Sequence, residues 1–175
     1  MIGFGCGPAP DPDIILILID TLRADHLGAQ RDNGTLTPCL DHLATRSRVF
    51  RRAYSTSSWT SPAVASLFTS RFQSQHRIEA FTSLLSPTEL TLAEVLRERG
   101  YATGGFSANI LIGAPSGYTQ GFDVFTTFPS GKRGRPRKLF SARPARAAAV
   151  NRAALEWLDE VRDESPDRPV FLYLH

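Results

Sequence analysis

The chain is poor in the features that most readily betray a function. Its two cysteines, Cys6 and Cys39, are too few for a disulfide scaffold, and their spacing suits no metal site. No apolar run approaches the ~20 residues that span a bilayer. The opening stretch, MIGFGCGPAPDPD, has neither the basic start nor the apolar middle of a secretory signal. Net charge is only +3, with much of the excess in one run from Lys132 to Lys138, so nothing global marks a nucleic-acid binder. No internal repeat is visible, and no linker divides the chain. What remains is 42% hydrophobic and 21% charged over 175 residues, enough for one domain with a real core.

The amino end allows two readings. Gly5-Cys6 followed by Gly, Pro and Ala resembles the tail of a bacterial lipoprotein signal, although Gly3 stands where that signal prefers Leu. Residues 1–12 are therefore either a disordered tail or the remnant of an export signal that begins upstream. Only the second reading implies a periplasmic or lipoprotein location.

From Asp13 onward strand and helix patterns alternate. DIILILI, Asp13 to Ile19, is a continuous apolar run that predicts a strand buried on both faces. It ends on Asp20, and ligands in open α/β sheets gather at the carboxyl ends of strands. Thr37-Pro38 opens a helix with Leu40, Leu43 and Ala44 as its stripe, and Val49 to Tyr54 reads as a short strand. Thr91 and Glu94 form a capping box for a helix that Gly100 stops. Tyr101 to Phe106 reads as a strand, Gly113 to Pro144 as a long Gly/Pro/Ser-rich loop region, and Ala145 to Asp163 as an amphipathic helix. VFLYL, behind Pro169, is a second buried strand. The pattern predicts an α/β fold, a mostly parallel sheet flanked by helices.

The stretch from Trp59 to Arg71, WTSPAVASLFTSR, is the centre of the reading. Thr60 stands where an N-cap belongs, Pro62 suits the opening turn, and Val64, Leu67 and Phe68 recur at helical spacing. Thr60 thus falls at the positive end of a helix, where backbone N–H groups favour an anion. His76 lies just beyond, in a loop where it would face either the pocket or solvent. Asp25-His26 reads as a structural pair in the turn after the first strand.

Taken together, IILILIDTLRADHLG, TPCLDHLA, VFRRAYSTSSWTSPAVASLFTSRF, TLAEVLRERGYAT, GFDVF and PVFLYLH resemble the amino-terminal half of sulfatases, members of the alkaline phosphatase superfamily. The pieces keep the family's order and are spread over nearly the whole chain from Pro12 onward. The resemblance implies an alkaline-phosphatase-like fold cut short at its carboxyl end, and a metal-dependent hydrolase of sulfate or phosphate esters. It makes Asp20 a metal-binding carboxylate and Thr60 both the nucleophile and a metal contact. The implied cation is calcium, with zinc or manganese as alternatives. Asn109 is a candidate substrate contact that would donate to a substrate oxygen, as an Asn does in some phosphodiesterase relatives, and His76 is a second candidate by its position beyond the Thr60 helix.

This sequence departs from the family at three places. Formylglycine arises from Cys or Ser within C/S-x-P-x-R, whereas this chain reads Thr60-Ser61-Pro62-Ala63-Val64. Thr21 replaces the second of the paired aspartates, and no Lys-x-His follows Tyr101. These departures speak against formylglycine and leave a second reading, a phosphodiesterase or phosphotransferase relative with an unmodified threonine nucleophile. The remaining metal ligands of the family lie beyond a strand like VFLYL, so the chain reads as an amino-terminal fragment, inactive without a carboxyl-terminal half. A rival from another class rests on KRGRPRK: Arg133 to Pro136 is similar to an AT-hook core, which enters the minor groove of A·T-rich DNA.

Overall fold

The computed structural model describes residues 11–28, 36–128 and 147–175. The tail before Asp11, Cys6 and the basic run at Arg133–Pro136 lie outside the described residues. The chain divides into two compact units, one of residues 1–18 with 56–175 and one of residues 19–55.

In chain order the elements are β1 (Ile14–Ile17), α1 (Pro38–Ala44), α2 (Thr60–Thr69), α3 (Gln73–His76), α4 (Leu92–Glu98), β2 (Ala102–Ser107), β3 (Val124–Thr127), α5 (Ala147–Glu164) and β4 (Val170–Leu174). All but α1 belong to the larger unit. Its four described strands form one parallel sheet in the order β1-β4-β2-β3. Ile14 pairs with Phe171, and Ala102 pairs with Val170, so VFLYL runs through the middle.

Alternation along β4 sends successive side chains to opposite faces of the sheet. Phe171 and Tyr173 join Val64, Phe68, Leu96, Tyr118 and Phe122 in a core under α2 and α4. Val170 and Leu172 join Ala102, Phe106, Val150, Ala154 and Trp157 in a second core beneath α5. Glycine at 104 is what lets α5 lie this close. A Cβ there would stand 2.7 Å from the Trp157 ring. At the amino end of the sheet Asp13 accepts from the Val170 N–H at 2.9 Å and pairs with Arg162 of α5. The Arg162 guanidinium holds the Asp13 carboxyl below its ordinary range.

The capping box of α4 forms as the sequence predicts: Thr91 Oγ1 accepts from Glu94 N–H at 3.2 Å, and Thr91 N–H donates to Glu94 at 2.8 Å. Gly100 follows with φ +93°. Three expectations need correction. β1 is buried on one face only, since Ile14, Leu16 and Leu18 meet the first core while Ile15 and Ile17 are 56% and 62% exposed. The reason is position: β1 lies at the sheet's edge, while α5, which covers that face, packs over β2 and β4. Val49 to Tyr54 forms no strand, and Phe50 and Tyr54 are exposed. The aromatic GFDVFTTF, placed in a loop region, contains β3, paired with β2 from Gly104↔Val124 to Ser107↔Thr127.

In the smaller unit α1 begins at the expected Thr37-Pro38. Thr37 Oγ1 donates to Asp41 at 3.3 Å and accepts the Gly28 N–H at 3.3 Å. Asp25 and His26 lie in a short 3-10 turn, where Arg23 binds Asp25 through two nitrogens.

Candidate functional site

Thr60 begins α2 itself. The capping position belongs to Trp59, whose backbone is extended (φ −142°, ψ 163°) and whose side chain makes no capping bond. Thr60 is thus the first helical residue, one place later than the N-cap the sequence suggested. It is partly exposed, whereas Ser61, Pro62 and Val64 behind it are buried. The amino end of the helix meets solvent while its body is packed.

Two polar contacts fix that body. The fully buried Tyr118 donates its hydroxyl to the Ser61 carbonyl at 2.6 Å. Burial pushes the Tyr118 pKa well up, so the phenol stays protonated and remains a donor. Farther along, Ser66 Oγ lies 3.1 Å from His76 Nε2. The Ile78 N–H donates to His76 Nδ1 at 3.2 Å, which makes Nδ1 the acceptor and leaves the ring proton on Nε2, facing Ser66. Phe68 anchors the far end, edge-on to Tyr173 with centroids 4.9 Å apart.

His76 is therefore not a solvated loop residue. It ends α3, is 4% exposed, and spends both ring nitrogens inside the protein. Desolvation lowers its pKa, with the Glu89 charge opposing that shift. Arg71 Nε lies 3.3 Å from Glu89 Oε2.

Asn109 falls two residues past β2. Its Oδ1 accepts the Leu111 N–H at 2.9 Å, and its own N–H donates to the buried Ser107 Oγ at 3.1 Å. The same carboxyl edge carries His175 at the end of β4. The His175 N–H donates to the Phe106 carbonyl, its carbonyl accepts from Ala108 N–H at 2.7 Å, and Nδ1 lies 2.9 Å from the Tyr173 hydroxyl. The structure thus joins the Asn109 turn and His175 at one end of the sheet.

Asp20, in the smaller unit, is exposed and follows β1 by three residues. The next residue is unusual: Thr21 has φ +57°. A β-branched side chain in the left-handed region costs about 1–2 kcal/mol, and such strain collects at functional positions. Among the described residues no three His, Cys, Asp or Glu side chains gather as a metal cluster. A hard cation takes ~6–8 oxygens. The carboxylate of Asp20 has the right chemistry for one of them, but these residues do not make up a shell.

Tyr118, Ser66 and Phe81 were not singled out from sequence. Tyr118 lies 57 residues from its partner, within a Gly/Pro-rich stretch that carries no helical or strand period. Local pattern offers no signal for such a contact. Among the described residues no helix is long and apolar enough to cross a membrane.

Comparison with known proteins agrees with this architecture. The chain is 38% identical to arylsulfatase G of Mus musculus over 100 residues, covering 54% of this chain and 19% of that protein. It is 35% identical to arylsulfatase A of Bos taurus over 108 residues, covering 57% of this chain and 21% of the relative. The chain therefore spans about a fifth of the length of these relatives. Its fold matches the phosphonate monoester hydrolase of Agrobacterium radiobacter with a TM-score of 0.71 at 22% identity, over 94% of this chain and 41% of that one. The family model for Sulfatase matches residues 12–175, and the chain belongs to the sulfatase family, with its alkaline-phosphatase-like α/β fold.

Proposed function

We propose that this chain carries the nucleophile-bearing part of a hydrolase of sulfate or phosphate esters, with the unmodified Thr60 hydroxyl as nucleophile. The observation behind this is the position of Thr60: partly exposed in the first turn of α2, on a helix body held by Tyr118, His76 and Phe68. A hydroxyl is a poor nucleophile until its proton is removed, and a helix end contributes only about 0.3–1 kcal/mol toward that. Thr60 Oγ1 attacks the sulfur or phosphorus while its proton passes to a base. The bond to the ester oxygen breaks and the alcohol leaves after taking up a proton. Water then cleaves the Thr60 ester, releasing sulfate or phosphate and restoring the hydroxyl. His76 is not that base. Its Nε2 already carries a proton, and burial opposes taking up a second one. Its role is to hold α2 in place.

The Val64 side chain argues against formylglycine from the structural side. It occupies the arginine position of the modification pattern, yet it is 2% exposed within the first core. A guanidinium there would be buried among hydrocarbon. Asp20 and Thr60 would each offer an oxygen to a divalent cation, calcium by family resemblance, which would polarise the ester and favour the ionised hydroxyl. Asn109 donates through Nδ2 to a substrate oxygen, its Oδ1 being held in the turn. On this reading residues 1–175 alone bind metal weakly and turn over nothing.

The test is turnover of an aryl sulfate and an aryl phosphodiester by the full-length protein. Thr60→Ala is expected to abolish hydrolysis, Thr60→Ser to retain it in part, and chelation to stop it reversibly. Hydrolysis by Thr60→Ala at the wild-type rate would overturn the assignment.

A further inference from the structure

The backbone that carries Thr60 is held from the side by a residue far away in the chain. Immediately after Thr60 comes the Ser61 carbonyl, which accepts the Tyr118 hydroxyl at 2.6 Å. A helix carbonyl also faces the N–H four residues on, and its two lone pairs accommodate both donors. Pro62 follows, fully buried, with its φ fixed by the ring. A swing of this first turn against the core therefore breaks the Tyr118 bond or displaces a buried proline. Tyr118 itself is a fixed donor. Its ring is fully buried and edge-on to Phe68, two turns farther along the same helix, with centroids 6.2 Å apart. Its N–H donates to the Gly113 carbonyl at 3.3 Å, the Ser116 carbonyl accepts from Leu85 N–H at 3.0 Å, and the Gly117 carbonyl accepts from Gln120 Nε2 at 2.8 Å. The phenol is thus aimed at the start of α2 by a backbone with anchors of its own.

We infer that Tyr118 is a positioning residue for the proposed reaction: its hydroxyl fixes the first turn of α2 so that Thr60 Oγ1 meets the ester in line for attack. The inference rests on Thr60 as the nucleophile. Misplacing a reacting group by about 1 Å costs on the order of 10²-fold in rate. A single hydrogen bond one residue from the attacking oxygen therefore has far more leverage on rate than on folding. The chain supplies its own comparison in Tyr101. That residue is also buried, and its hydroxyl also donates to a main-chain carbonyl, that of Pro12 at 3.1 Å. The Tyr101 bond joins the starts of β1 and β2 and takes no part in α2. Loss of either hydroxyl removes the same chemistry, and only one of the two bonds holds the turn behind Thr60.

The experiment compares Tyr118→Phe with Tyr101→Phe in the full-length protein, at a temperature where circular dichroism shows both fully folded. The readout is single-turnover release of nitrophenol from 4-nitrophenyl sulfate and from the corresponding phosphodiester. Tyr118→Phe keeps the ring against Phe68 and is expected to lower the maximal rate about tenfold, with the half-saturating concentration unchanged. Tyr101→Phe should leave both quantities at their wild-type values. In the Thr60→Ala protein, adding Tyr118→Phe should not alter the equilibrium affinity for either ester, because the bond places the nucleophile and not the substrate. A wild-type rate in Tyr118→Phe, an equal loss in the two tyrosine variants, or a shift confined to the half-saturating concentration would each overturn the inference. The nucleophile assignment fails by a different result, turnover by Thr60→Ala. An inert Thr60→Ala beside a fully active Tyr118→Phe sinks the positioning role alone.

Discussion

Thr21 sits beside Asp20 in a backbone region that a β-branched residue avoids, at φ +57°. Asparagine tolerates that region through its short polar side chain. Thr21→Asn should therefore stabilise the protein by about 1 kcal/mol in urea unfolding, and an unchanged or lowered midpoint would contradict the strain. Tyr118 offers the opposite case. Tyr118→Phe keeps the ring in its core and removes only the 2.6 Å bond to Ser61. The expected loss is about 0.5–1.5 kcal/mol by denaturation. His76 links stability to pH. Its pKa is lowered in the folded protein from an ordinary 6.5, chiefly by desolvation. The unfolded chain thus takes up the proton first as pH falls, and stability drops from about pH 6.5 downward. Unfolding followed between pH 7 and 5 should show this slope, and His76→Gln should reduce it.

At the scale of elements, the seating of α5 on the sheet depends on a missing side chain. Gly104→Ala would put a methyl 2.7 Å from the Trp157 ring. Overpacking of this kind costs about 1–3 kcal/mol. Thermal unfolding should show the loss, and Trp157→Leu in the same chain should recover part of it. Which elements the sequence made legible follows from the range of the forces that build them. The α4 capping box is local, Thr91 with Glu94 three residues on, and it forms as read. β1 is a strand as expected, but DIILILI carries no alternation to say which face would be covered, and its edge position leaves Ile15 and Ile17 bare. GFDVFTTF was masked by the glycines and prolines around it. Only pairing with β2 reveals it as a strand.

For the molecule as a whole, fold class and family were readable because strand–helix alternation and the order of six sequence blocks are properties of the chain as a line. The site was readable only in part. Thr60 and Asp20 are proposed from a helix start and a strand end, whereas the Tyr118 clamp joins residues that no pattern connects. The sequence leaves His76 between a pocket and solvent, because sequence position says nothing about what folds over a loop, and the structure buries it instead. The larger claim, an unmodified threonine that forms the bond to sulfur or phosphorus, is best tested by mass spectrometry of the full-length protein quenched during turnover of an aryl ester. The peptide spanning Ala53 to Arg71 should be unmodified before substrate is added and should carry the sulfuryl or phosphoryl group on Thr60 afterwards. A peptide altered at Thr60 before any substrate, or an adduct on a different residue, would contradict the account.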